Sequence, residues 1–202
     1  QRRQLATWAK GIHSAYIPAH WRDNLLKIML SAFPIGERKG KPGEEHCDHP
    51  GCTANSHFET IEHLLMLCPP ARDTLTEWFT QWETATGEKL DPTNKPTVLF
   101  GDRAGPWHIK NPELEEPFRL IQAAYAYTIW RARCQRKHPT AIHGRRIKHS
   151  KAGILAEMRT MINEQIQLRY KEARENGTVA AFMTSWVRTG IARLTHGSPH
   201  FQ

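Results

Sequence analysis

Apolar residues recur at three- and four-residue steps along most of this chain, the spacing of helices with one buried face. Leu5, Trp8, Ile12 and Tyr16 predict a helix over 3–16, broken by Pro18. Trp21, Leu25, Ile28, Met29 and Ala32 predict a second over about 19–33, ended by Pro34 and Gly36. A charged, Gly-rich loop follows from Glu37 to Gly43. Ser56 and Glu59 have capping-box spacing, so a short helix should run through about Leu67. Pro69-Pro70 stops it and can seed the next, because proline is tolerated in a helix's first turn. That next helix, about 71–86, carries Leu75, Trp78, Phe79 and Trp82 on one face.

The stretch 87–111 reads as irregular around one apolar run, Val98-Leu99-Phe100. Three long helices should follow. Over 112–137, Leu114, Phe118, Ile121, Tyr125 and Ile129 form a stripe backed by Leu120, Tyr127, Trp130 and Cys134, so two faces want burial. Over 151–175 the stripe is Leu155, Met158, Ile162, Ile166 and Tyr170, with Gly177 placed as a C-terminal stop. Over 178–194 it is Val179, Phe182, Trp186, Ile191 and Leu194. The predicted fold class is mostly α: a helical pair over 1–36, a cysteine-bearing segment over 37–102, and a helical bundle with a basic loop over 103–202, packed as one unit.

Length and composition narrow this picture. A chain of 202 residues buries about 70 per cent of its unfolded surface, so it needs no disulfide staples. Its 39 per cent apolar and 24 per cent charged residues are ordinary for a folded domain. No run of eighteen apolar residues exists, which removes a membrane span from expectation. The start, Gln1-Arg2-Arg3-Gln4, has neither a signal-peptide core nor a Met, as in a processed piece. Net charge is +8, inviting an acidic partner such as nucleic acid. The charge is segregated: +6 over 1–41, −8 over 42–120 and +10 over 121–202.

Chemistry concentrates in the acidic middle. Cys47 and Cys52 flank a Pro-Gly turn, and His63 and Cys68 follow in the pattern Cys-x4-Cys-x10-His-x4-Cys. Three thiolates and one imidazole suit a single tetrahedral Zn2+, and four protein ligands leave no open position for a substrate, so the role is structural. Such a site contributes about 10–16 kcal/mol in zinc-finger peptides. On an ideal helix His63 and Cys68 diverge by about 140°, and Pro69-Pro70 ends the helix so that Cys68 can swing back. His46, His49 and His57 compete with His63 for a ligand place. The alternative chemistry is a Cys47–Cys52 disulfide with Cys68 as a buried small hydrophobe.

These residues carry a resemblance. Trp8, Ile17-Pro18, Arg22-Asp23, Phe33-Pro34-Ile35-Gly36, the Cys-x4-Cys pair and Glu59-Thr60-x-Glu62-His63-x4-Cys68-Pro69 together resemble the zinc-binding region at the C-terminal end of reverse transcriptases of LINE-like (non-LTR) retrotransposons. The similarity covers about residues 8–102, including Trp78 and Leu99-Phe100-Gly101-Asp102. It implies Cys47, Cys52, His63 and Cys68 as the ligands, and a region that helps a polymerase grip RNA or its DNA target. The family commonly spaces its first pair Cys-x2-Cys; the longer gap here keeps His49 in contention. No Asp-Asp pair of a polymerase and no ribonuclease H carboxylate set is present, so the resemblance implies a non-catalytic accessory, the tail of a larger enzyme or a domesticated relative.

The partner-facing expectation falls on Arg131, Arg133, Arg136, Lys137, Arg145, Arg146, Lys148 and Lys151, a run without an acid. Arginine forks and lysine point charges suit phosphates. Six such contacts to DNA would give a log–log salt slope of about −5. Tyr127 and Trp130 offer stacking faces for bases, although aromatics at helical spacing more often serve a core. The expected function is nucleic-acid binding, RNA or DNA, inside the cell and in the nucleus. The alternatives are a zinc-stabilised protein-interaction or self-association domain, and a basic arm that docks the chain's own acidic middle.

Overall fold

The computed structural model describes residues 17–36, 45–53, 57–91, 93, 111–138 and 150–202. The helix expected over 3–16, the Val98-Leu99-Phe100 run and the basic residues Arg145, Arg146 and Lys148 lie outside them. The architecture is mostly α, as the periodicity predicts. In chain order come α1 (Ala19–Met29), α2 (Pro50–Thr53), a π-helical turn (His63–Leu67), α3 (Pro69–Thr86), a 3-10 turn (Pro112–Leu114), α4 (Glu115–Lys137), α5 (Lys151–Glu175), α6 (Val179–Phe182), a second π-helical turn (Met183–Arg188) and a hairpin of β1 (Ala192–Thr195) and β2 (Ser198–Phe201).

α4 is the axis on which the others pack. Its alanines Ala123, Ala124, Ala126 and Ala132 are buried, letting neighbouring backbones approach, while Phe118, Ile121, Tyr125 and Ile129 fill the core. Both of its faces are covered: α1 lies against one and α5 against another. Trp130 stacks on Phe33 at 4.0 Å and 12°, and Tyr127 meets His20 and Trp21 edge-on and tilted. The rings weighed above as stacking faces are therefore used inside the fold. Tyr125 is wholly buried and its one hydroxyl proton is shared between the carbonyls of Leu65 and Ala71, tying α4 to the first π turn and to α3.

Helix ends follow local chemistry. α3 begins on Pro69-Pro70, as expected. Ser150 caps α5 by accepting from the Gly153 N–H at 3.2 Å. At its other end Gly177 takes φ +69°, and the Thr178 N–H returns to the Ala173 carbonyl at 2.8 Å, the Schellman closure that the glycine predicts. α1 ends at Met29, short of the expected Phe33, because the chain turns through Ser31 at φ +49° to lay Phe33 on Trp130.

The C-terminal expectation needs the larger correction. Instead of one helix over 178–194, helical structure stops at Arg188 and a two-stranded antiparallel hairpin follows. His196 and Gly197 both have positive φ, 50° and 77°, which makes the two-residue turn whose twist suits a hairpin. Leu194, expected on the buried stripe, is a half-exposed strand residue. β2 is fixed to α5 by the Phe201 N–H donating to Asn163 Oδ1 at 2.6 Å and by Gln167 donating to the Pro199 carbonyl. Among the described residues no helix is long and apolar enough to cross a membrane.

Candidate metal centre

Three short pieces of backbone bring the cluster together. The first is the knuckle: the Cys52 and Thr53 N–H groups donate to the His49 carbonyl at 2.7 and 3.1 Å, turning the chain through Pro50-Gly51 into the single turn of α2. A β-carbon on Gly51 would meet Pro69 at 3.2 Å and His49 Nδ1 at 3.3 Å, so this turn sits tightly under the start of α3. The second is an antiparallel bridge between His46 and Phe58, in which the Cys47 N–H donates to the His57 carbonyl at 2.9 Å. It holds Cys47 beside the start of the next segment.

The third is the π turn. The Cys68 N–H donates to the His63 carbonyl at 2.7 Å, a bond spanning five residues. That wider loop offsets the divergence expected of an α-helix, so two side chains five apart come to one side. Cys68 itself is extended, with φ −60° and ψ 130°, immediately before the prolines. Thr60 stands at the start of this segment, where its Oγ1 accepts from the His63 N–H at 2.9 Å. Ser56 lies outside the described residues, and the Glu59 carboxylate is committed elsewhere.

Cys47, Cys52, His63 and Cys68 are all buried, and one ligand atom from each lies within 4.8 Å of every other. The Cys68 sulfur stands 3.9 Å from those of both Cys47 and Cys52. A tetrahedral ion with metal–sulfur bonds of about 2.3 Å sets its sulfurs about 3.8 Å apart, whereas a disulfide requires about 2.05 Å. The three cysteines are free thiols, so the disulfide alternative is not realised. His63 Nε2 is buried without a hydrogen-bond partner, and as an unprotonated nitrogen its lone pair is one that a metal would satisfy. His49, the competing imidazole, accepts from the Gly51 N–H through Nδ1 at 3.1 Å and is no part of the cluster.

Electrostatics inside the cluster point the same way. The Cys47 thiol is held far below its ordinary range, chiefly by hydrogen bonding from Cys68 and, after burial's opposing push, by His63. Cys68 is pushed up, first by that same bond and then by burial, and Cys52 is pushed up by burial and by the Cys47 charge. One thiolate therefore forms at the expense of its neighbours. A dication is what lets all three ionise together. The residues present fit a metal of zinc's kind.

The cluster is clamped to the end of α4 by charge. Glu59 and Arg133 form a bidentate pair, Nε to Oε1 at 2.9 Å and Nη2 to Oε2 at 2.5 Å, with both side chains out of solvent. Lys137 Nζ lies 3.8 Å from the same Glu59 carboxylate. Arg136 pairs with Asp48 at 2.7 Å, between Cys47 and His49 in the knuckle. The Arg133 guanidinium also covers the Trp130 ring at 5.0 Å. Burial works against its charge, but Glu59 outweighs that and its pKa rises. Gly36 completes the joint. At φ +54° it passes so close to Glu59 that a β-carbon would stand 2.8 Å from the Glu59 carbonyl oxygen. The Phe33-Pro34-Ile35-Gly36 and Glu59-Thr60-x-Glu62-His63 strings are thus packed on one another.

The eight basic positions divide accordingly. Arg133, Arg136 and Lys137 face the chain's own acids, and i, i+3, i+4 spacing puts them on one side of α4. Arg131 is 2.9 Å from the buried Glu157 carboxylate. Lys151 meets Glu77 at 3.3 Å, but both side chains are well exposed, so this pair is weak and Lys151 remains accessible. Arg145, Arg146 and Lys148 lie outside the described residues. For Arg133, Arg136 and Lys137, docking onto the acidic middle is the arrangement observed. No family model, curated protein or solved structure among those compared matches this chain.

Proposed function

We propose that this chain is a nucleic-acid-binding accessory module built round one structural Zn2+ held by Cys47, Cys52, His63 and Cys68. It is similar in role to the zinc-binding region that follows the polymerase in LINE-like reverse transcriptases, and acts in the nucleus. The observation that carries it is the tetrahedral spacing of three thiols and one imidazole, contributed by the very positions on which the resemblance rests. With four protein ligands the ion has no open coordination place, so it organises the fold and performs no catalysis. Phosphate contact falls to the segment between α4 and α5, where Arg145, Arg146 and Lys148 occur without an acid, joined by accessible Lys151.

Titration of the zinc-loaded chain by fluorescence anisotropy against a structured RNA, a single strand and a duplex DNA tests this. Salt-sensitive binding with a preference among the three supports it, and absence of binding near physiological salt refutes it. The second reading, a zinc-stabilised protein-interaction domain, is favoured by one observation: Arg131, Arg133, Arg136 and Lys137 are matched by acids of the same chain, leaving less charge to attract a polyanion. Absence of nucleic-acid binding combined with self-association in light scattering would move the assignment there.

A further inference from the structure

The segment that replaces the expected end of the last helix lines a cavity that shares no residue with the cysteine cluster. Its volume is about 550 Å³, within the range of about 300–1,000 Å³ typical of small-molecule sites. Trp78 and Trp82 of α3, Ile121 of α4 and Ile191 and Phe201 of the C-terminal segment supply apolar walls, and exposed Arg159 of α5 stands at the rim. The walls are fixed relative to one another. Gly190, at φ +79°, packs so closely on α3 that a β-carbon would lie 2.7 Å from the Ala85 carbonyl oxygen, and β2 is pinned to Asn163 at 2.6 Å.

Two polar atoms of the lining residues lack partners. Trp78 and Trp82 are each 3 per cent exposed, and neither indole N–H has a hydrogen-bond acceptor. Buried indole N–H groups ordinarily find one, and leaving them bare is costly. Both atoms are shut off from the cavity itself, so a ligand there packs on the aromatic walls and does not bond to the indoles. Arg159 donates to Gln81 Oε1 at 3.2 Å through one nitrogen, and a guanidinium has five donors in all, so it can also bind an anion.

We propose that this cavity is a binding site for a small aromatic anion, a flat ring bearing one carboxylate, sulfonate or phosphate. The ring lies against Trp78, Trp82 and Phe201, and the anion meets Arg159. The site is independent of the nucleic-acid function proposed above.

Two fluorescent probes that differ by a sulfonate test it on the full zinc-loaded chain: 8-anilinonaphthalene-1-sulfonate and neutral N-phenyl-1-naphthylamine. Both should saturate at one per chain. Thr84 lines the mouth and its hydroxyl only bonds back to the Thr80 carbonyl, so Thr84→Trp should abolish binding of both with the helical circular dichroism unchanged. Arg159→Ala should weaken the sulfonate probe about tenfold, the worth of a charge-assisted contact, and leave the neutral probe unaffected. Displacement by naphthalene-1-acetate identifies a free aromatic acid, and displacement by adenosine monophosphate identifies a nucleotide. Undiminished binding in Thr84→Trp, an equal effect of Arg159→Ala on the two probes, or displacement by neither compound overturns the proposal. Should Thr84→Trp not fold, the exposed Arg159→Ala variant and the probe pair decide it.

Discussion

Replacing Glu59 by Gln strands a charge in the core, and the size of that effect is set by what remains around it. The Arg133 side chain is 2 per cent exposed and Glu59's is 0 per cent. In Glu59→Gln the guanidinium keeps a neutral acceptor and the Trp130 face at 5.0 Å, with no anion. Removing one partner of a buried pair costs about 3–5 kcal/mol, which for a chain of this length lowers Tm by about 6–20 °C. Arg133→Met should sit at the lower end of that range, because Glu59 retains Lys137 at 3.8 Å. The double variant Glu59→Leu/Arg133→Met should fall within about 1 kcal/mol of the parent, since a well-packed apolar pair replaces a buried ion pair at little net cost. Urea unfolding of these zinc-loaded proteins together with the single variant Glu59→Leu closes the cycle. Single variants costing less than about 1 kcal/mol, or a double variant costing the sum of both singles, would refute a buried, desolvated clamp.

Three further outcomes are expected. Cys68→Ser should lose stoichiometric zinc by elemental analysis and unfold the 45–68 region, and the Co2+-loaded parent should show tetrahedral thiolate absorption that this variant lacks; a Cys68→Ser protein that keeps full zinc would contradict the ligand set. Tyr125→Phe removes the hydroxyl proton shared between the Leu65 and Ala71 carbonyls in the core and should cost about 1–3 kcal/mol in urea unfolding; no loss would show that those carbonyls are satisfied otherwise. Burial raises the Glu116 carboxyl above its ordinary value, and Arg169 only partly opposes this. A raised carboxyl stabilises the fold fully below its unfolded pKa of about 4.3 and loses that contribution as pH rises through the folded value. Glu116→Gln should therefore gain stability relative to the parent at pH 7 and lose that advantage at pH 4, read from paired thermal melts; a gap independent of pH would contradict this.

What the sequence revealed and what it hid divide along physical lines. Helical periodicity found α3, α4 and α5 because each buries a stripe of large apolar residues, and Gly177 marked a stop that needs positive φ. The cysteine cluster was legible because ligand chemistry depends on residue type and approximate spacing. The π turn that joins His63 to Cys68 was not, since a bond spanning five residues leaves no composition signal. The hairpin was missed although Thr195-His196-Gly197-Ser198 holds its turn, because Val179, Phe182 and Trp186 carry a helical pattern that the eye extends through Ile191 and Leu194. Charge counting located the basic run but could not tell which face of α4 each residue occupies. Glu59, read as a capping residue, is the partner that takes Arg133 out of reach of solvent.

With the α4 bases paired to acids of the same chain, the proposed phosphate contact rests on Arg145, Arg146, Lys148 and Lys151. The most direct test is the salt dependence of nucleic-acid affinity, measured by anisotropy for the zinc-loaded chain and its Arg145→Glu/Arg146→Glu/Lys148→Glu variant. Three to four contacts on duplex DNA give a log–log slope of about −3 to −4, and the reversed variant should lose binding at physiological salt. A slope near −5 or steeper that survives the reversal, or no salt-dependent binding by the parent, would contradict an accessory that grips nucleic acid through this segment.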